Sequence, residues 1–429
     1  MSPYIVICII IIYFAVIFSV SYFSSKGNNI NNFYKGNKNS PWWVVAIGMI
    51  GTTLSGVTFI SVPGLVSTET KMTYFEVILG NFLGYIAIMY FLLPLYYKMN
   101  LTSIYGYIEQ RFGKISYKTS AILFLLSKLI GAGFRLFIVI LVLQITVFDP
   151  LNLPFYLNAI ISVMLIWAYT IKGGIKSIIW TDMIQTFFLV FAVVFTIFSI
   201  GKELNMNFTT MVSAICSNDQ FVLFDFGNFW SNENNFFKQF ISGAFITIVM
   251  TGLDQDMMQK NLSLKNIHEA TKNFFSFSIA LIPVNFIFLC LGVLFVIYMN
   301  TKGISQQMNP DEIYPILATK YLPFSVSIFF ILGIIASAFS SANSAMVAMT
   351  TSFMIDIYNG KNKSERKLKK VREITHTIVA LCFIGIIILF HLFNDESVIL
   401  YRISCPLVEN TIGEVINKGF REPANRFSV

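Results

Sequence analysis

Apolar runs long enough to cross a bilayer recur along this chain from Tyr4 to Phe393, and no other feature restricts its fold so strongly. A transmembrane helix needs about 20 predominantly apolar residues. Runs near residues 4–23, 42–66, 74–97, 120–147, 155–171, 178–201, 236–258, 274–299, 324–356 and 374–393 meet that need, which predicts about ten spans. Backbone groups in hydrocarbon must be satisfied within the protein, and runs of this length do so as helices rather than as barrel strands. Charged residues make up 12% of the chain, against about 25% in soluble domains. The expectation is an all-α polytopic membrane protein.

The net charge of +8 does not point to nucleic acid, because the basic residues alternate between loops. One set of loops holds Lys26, Lys35 and Lys38; Lys98, Arg111, Lys114 and Lys118; Lys172 and Lys176; Lys260, Lys265 and Lys272; and the run from Lys361 to Arg372. The other set is poor in Lys and Arg and carries Glu203, Asp219, Asp225, Glu233, Asp311 and Glu312. Basic loops stay inside, so this pattern predicts a plasma (inner) membrane protein with its N-terminus outside. The run GKNKSERKLKKVRE is read as a topology anchor, with an anionic-lipid patch as the alternative. The long segment from Lys202 to Asn235 is expected to pack over the outer mouth.

The first run has neither a basic flank before it nor a small-residue cleavage site, so it reads as a retained helix, with the mature protein starting near Met1. Five scattered cysteines and three histidines without ligand spacing predict neither a disulfide framework nor a transition-metal site. No hydrolytic nucleophile constellation or phosphate loop is legible, so an enzyme is not expected. The oligomeric state has no signature.

Four stretches stand out within the spans. GMIGTTLSGVTFISVPG (Gly48 to Gly64) puts glycines, hydroxyls and a proline where a membrane helix should be regular. Such an interruption is tolerated where it lines a cavity or where neighbouring helices satisfy it. In ASAFSSANSA, Ser337, Ser340, Ser341 and Ser344 fall at i, i+3, i+4 and i+7, so their hydroxyls share one helix face. Freed carbonyls facing such a stripe would offer a neutral oxygen cage to a hard cation, and close helix packing is the alternative for both stretches. GGIKSIIWTDMIQ places Asp182 just inside a span, as a functional carboxylate or as an interfacial partner of Lys176. TGLDQDMMQK carries Asp254 and Gln255 as a cavity lining or as the inner end of its helix. Arg135 lies deep in its run and needs a partner: Glu76, Asp182 or a solute carboxylate.

In this order and separation the four stretches resemble the sodium:solute symporter family over about residues 4–395. The resemblance implies a leucine-transporter-type fold, two inverted five-helix repeats after one extra N-terminal helix. It implies sodium as the coupling ion, no organic cofactor, and a small polar organic solute moved by alternating access across the lipid bilayer. Carried over, the sodium ligands fall on the carbonyls of Gly51 and Leu54 and on Ser337, Ser340 and Ser341. Asp182 and Ser344 fall on a second sodium position or the ion's inward exit. Solute contacts fall on Thr53, Ser55 and Thr58, on Arg135, and on Asp254 and Gln255. Hydroxyls with an arginine resemble members that carry acidic sugars such as sialic acid or other carboxylates. Val57 and Thr58, where sugar-specific members have Glu and Gln, speak against a neutral hexose.

The pattern is lost near Asp395, and Ile399 to Val429 is too interrupted by Arg402, Pro406, Glu409 and Glu414 to span. This divides the chain into a symporter domain, 1–395, and an aberrant tail, 396–429. The tenth core helix is not legible, which leaves the second repeat incomplete and suggests a truncated or frame-shifted product. A non-functional remnant and a symporter-like membrane sensor are the alternatives to a working transporter.

Overall fold

The computed structural model describes residues 3–25, 33–34, 36–38, 40–68, 70–304, 308–358 and 364–393. The tail read as 396–429 lies outside the described residues. Every regular element among the described residues is helical.

Helix α1 (Pro3–Ser25) is apolar almost throughout and packs against α6 (Phe155–Glu203), where Ser21 Oγ donates to Tyr169 O at 2.7 Å. Helix α2 (Trp42–Thr53) starts after Pro41, whose extended backbone cannot continue a helix backward. Leu54 (φ −77°, ψ 76°) and Ser55 interrupt it, and α3 (Gly56–Thr68) resumes after a bend of 57°. Helix α4 (Tyr74–Lys98) and helix α5 (Gly106–Leu143) follow.

Helix α6 is 49 residues long, about 74 Å at 1.5 Å per residue, more than twice the hydrocarbon thickness. Gly174 divides it. Its φ of 55° and ψ of −155° are open to glycine, and a Cβ there would sit 2.6 Å from Phe33 Cα. The two halves are the spans expected at 155–171 and 178–201.

A second interrupted pair is α7 (Phe236–Gly252) and α8 (Gln255–Leu262), bent by 65°. Asp254 starts α8 by accepting from the Asp256 and Met257 amides. Helices α9 (Ile267–Lys302), α10 (Phe324–Ile357) and α11 (Glu365–Leu392) complete the bundle. With each bent pair counted as one span and α6 as two, the described residues make ten crossings. Several helices outrun their apolar cores. The runs predicted at 120–147, 274–299 and 374–393 begin well inside α5, α9 and α11, because polar turns at the water boundary precede the apolar stretch, in α5 across a kink at Gly113 (φ 82°, ψ 177°).

Helix α10 is the centre of the molecule, with every residue from Phe330 to Ser352 buried. Its Gly, Ala and Ser content lets α6, α5 and the α2/α3 break approach closely. At one end of the bundle the segment 203–235 folds back onto α4. The Asp225 amide donates to Glu76 Oε1 at 2.6 Å, and Phe224 packs edge-on against Phe75. Hydrogen bonds from Asn232 and the Gly227 amide hold the Asp225 carboxyl below its ordinary range. The opposite end carries the basic loops.

Candidate functional site

The break between α2 and α3 frees backbone groups in the middle of the bundle, and α10 supplies hydroxyls to meet them. Ser337 Oγ donates to Leu54 O at 2.9 Å, a buried bond between residues 283 apart in sequence. One turn on, Ser340 Oγ lies 3.3 Å from Thr52 Oγ1. Ser341 Oγ donates back to Ser337 O at 3.3 Å, and Ser344 Oγ is buried without a hydrogen-bond partner among the described residues. Gly51, in the last turn of α2, lies against α6. A Cβ at that position would come 2.2 Å from Thr186 Oγ1, so only glycine lets the two helices meet so closely. Leu54 and the serine stripe are thus brought together, and Gly51 lies against Thr186 on the side where a side chain would stand. The donor set is oxygen only and uncharged, which suits a hard monovalent cation.

Beside these groups lies a buried ion pair. Asp182 Oδ2 accepts from Lys260 Nζ at 2.6 Å and from Thr52 Oγ1 at 3.2 Å, while Oδ1 accepts from Asn343 Nδ2 at 3.1 Å. Lys260 also donates to Thr52 Oγ1. Lysine and aspartate are 1% and 0% exposed. Neither charge would be tolerable there alone. From Asn343 the network runs to Tyr169 and Gln185, and from Gln185 to Tyr13. Lys176, considered from sequence as the partner of Asp182, has no part in this pair. Lys260 is the functional candidate that sequence reasoning missed, since as one more basic residue beside a span it was counted with the loops. The available signal was α8 itself, a polar segment in which every residue from Gln255 to Leu262 is buried, so its polar side chains must have partners.

A cavity of about 50 Å³, room for a few waters, opens between the α2/α3 break, α4 and α9. Thr53, Leu54 and Thr58 line it from the break, with Asn81 and Tyr85 from α4 and Ser278 and Asn285 from α9. The α4 and α9 residues are isolated polar positions in apolar helices, without a pattern in sequence. Ser55 lies behind the break, its hydroxyl 3.3 Å from Thr58 Oγ1.

Three expected solute contacts lie apart from this lining. Arg135 is half-buried on α5 and makes no hydrogen bond or ion pair among the described residues. The carboxylates considered for it are engaged elsewhere, Glu76 with the Asp225 amide and Asp182 with Lys260. Asp254 and Gln255 sit at the basic end of the bundle, and their polar atoms are committed. Asp254 caps α8 and pairs with Lys128 at 2.8 Å, with Asp256 3.0 Å from the same ammonium. Gln255 accepts from the Ile104 amide and donates to Thr102 O, which ties α8 to the loop between α4 and α5.

Residues 33–410 match the model of the Sodium:solute symporter family. The chain belongs to that family. It is 27% identical over 391 residues to the sodium/sialic acid symporter SiaT of Proteus mirabilis, covering 88% of this chain and 76% of that relative. It is 23% identical over 410 residues to the sodium/glucose cotransporter of Vibrio parahaemolyticus, covering 87% and 73%. Among solved structures, a substrate-bound, outward-open Na+-coupled sialic acid symporter superposes with a TM-score of 0.80 at 22% identity, over 90% of this chain and 82% of that one. That likeness shows the fold. The protein is a multi-pass membrane symporter that couples a small solute to sodium.

Proposed function

We propose that this symporter imports an acidic sugar or a related carboxylate solute, drawn inward by one sodium gradient through the plasma (inner) membrane, with its N-terminus outside. The buried bond from Ser337 to the Leu54 carbonyl carries the sodium part of this reading, because it joins the helix break to the hydroxyl stripe. Sodium takes the carbonyls of Gly51 and Leu54 with the oxygens of Ser337, Ser340 and Ser341.

The solute enters at the cavity beside Thr53 and Thr58, which widens to hold it as the helices rearrange, with Ser55 orienting Thr58, and its carboxylate is met by Arg135 of α5. The unpaired guanidinium supports an anionic solute, as do relatives named for sialic acid. The basic loops support the orientation. Bound sodium pulls the break and α10 together, which completes the solute site in one conformation and releases it in the other. One charge moving inward through 100 mV contributes about 2.3 kcal/mol, before the concentration gradient is added.

Proteoliposomes containing the full chain should accumulate labelled N-acetylneuraminate above equilibrium under an inward sodium gradient. Uptake should stop when potassium replaces sodium. Sodium-independent equilibration of the label would contradict sodium coupling, and sodium-driven uptake of glucose but not of N-acetylneuraminate would contradict the acidic solute.

A further inference from the structure

We propose that Lys260 is the resident counter-cation of Asp182 and keeps a second sodium ion off that carboxylate, so that the chain binds and couples a single sodium ion. The inference rests on the sodium cage proposed above and concerns its neighbour. Both carboxylate oxygens are already accepting hydrogen bonds, Oδ2 from Lys260 and Thr52 and Oδ1 from Asn343. An ammonium 2.6 Å from Oδ2 leaves the pair neutral. A sodium ion on the same carboxylate would face that ammonium across a few ångströms of interior from which water is excluded, where like charges repel far more strongly than at a surface. Among the described residues no other ion pair involves either group.

The placement of the ammonium adds a mechanical consequence. Lys260 stands on α8 and Thr52 on α2, the two half-helices on the basic side of their breaks, and both are fastened through the ammonium to Asp182 on α6. Thr52 in turn touches Ser340 of the stripe. The ammonium is therefore two contacts from the sodium cage without being a ligand in it. Removing the ammonium frees Oδ2 next to the hydroxyls of Thr52 and Ser340, an oxygen-only set with one negative charge that suits sodium.

Equilibrium binding of radiolabelled sodium to the purified full chain, without solute, tests the proposal. The wild type should bind one ion per chain with a Hill coefficient of about 1. Lys260→Met, a neutral side chain of similar length, should bind two, and Lys260→Arg, which keeps the charge, should return to one. Lys260→Met/Asp182→Asn should also bind one, because the vacated carboxylate is gone. A purely structural lysine would change stability but not the ion count. Two ions per wild-type chain, or one ion in a monodisperse Lys260→Met protein, would overturn the role given to Lys260. Should Lys260→Met not fold, Lys260→Gln, which also removes the charge but keeps a polar group for Thr52, carries the same test with the same expected count of two. Absence of saturable binding in the wild type, or binding indifferent to Ser341→Ala, would instead overturn the cage.

Discussion

Arg135 is a guanidinium on a membrane helix that meets no carboxylate among the described residues, although Glu76 and Asp182 are both in the molecule. A cation left in that setting is costly unless a ligand completes it. Arg135→Gln should therefore weaken transport of carboxylate solutes by about tenfold to a hundredfold, the value of one charge-assisted hydrogen bond, while sodium binding stays as in the wild type. Uptake kinetics across a set of charged and neutral solutes check this, and an unchanged half-saturation for the acid would refute it. At this scale sequence reading succeeded where residue type alone carries the chemistry. The serine spacing placed four hydroxyls on one face, and Ser337 and Ser340 do reach Leu54 and Thr52. It failed for Lys260, Asn81 and Asn285, whose roles depend on what lies opposite them. It left Asp254 and Gln255 open between a cavity lining, the solute role that the resemblance implies, and the inner end of their helix, and their cap, the Lys128 ion pair and the Ile104 amide engage them at the basic end.

Among the elements, the two interrupted helices each have a fastening on their basic side. Lys128 of α5 lies 2.8 Å from Asp254 and 3.0 Å from Asp256, on either side of the start of α8. The three side chains are 17%, 17% and 5% exposed, so water screens this cluster only in part. Lys128→Met should favour the conformation in which α8 has swung away by about 1–3 kcal/mol. Cysteine labelling at Gln259→Cys from the basic side should then proceed at least fivefold faster than in the Lys128 parent. Equal labelling rates would show that the cluster does not restrain α8. The elements themselves were largely legible, because hydrophobic runs and the Gly-Gly at the kink of α6 are local signals. The extents of α5 and α9 were not, since their first turns lie at the water boundary and are polar. Helix α8 was illegible as a separate element. Eight residues with five buried polar side chains have no periodic signature, and partners on α2, α6 and α10 explain Gln259, Lys260 and Asn261.

Taken whole, the molecule places the buried serine hydroxyls of the proposed sodium cage, a neutral lysine–aspartate pair and a small polar cavity around one helix break. Each adjoins the interrupted helix, the cage at Leu54, the ion pair at Thr52 and the cavity at Thr53, Leu54 and Thr58, which gives the proposed sodium site a route to both the cavity and the half-helices on the basic side. The cage is the central element of this arrangement, and Ser341 tests it with least disturbance. Among the described residues its hydroxyl bonds only to its own helix, at Ser337 O, so its loss removes no hydrogen bond between helices there. Sodium titration of uptake in proteoliposomes, comparing the wild type with Ser341→Ala at equal protein incorporation, is the most direct measurement. The half-saturating sodium concentration should rise by about tenfold, about 1.4 kcal/mol of lost ligation, with solute affinity at saturating sodium preserved. An unchanged sodium half-saturation in a correctly folded Ser341→Ala protein would contradict the cage.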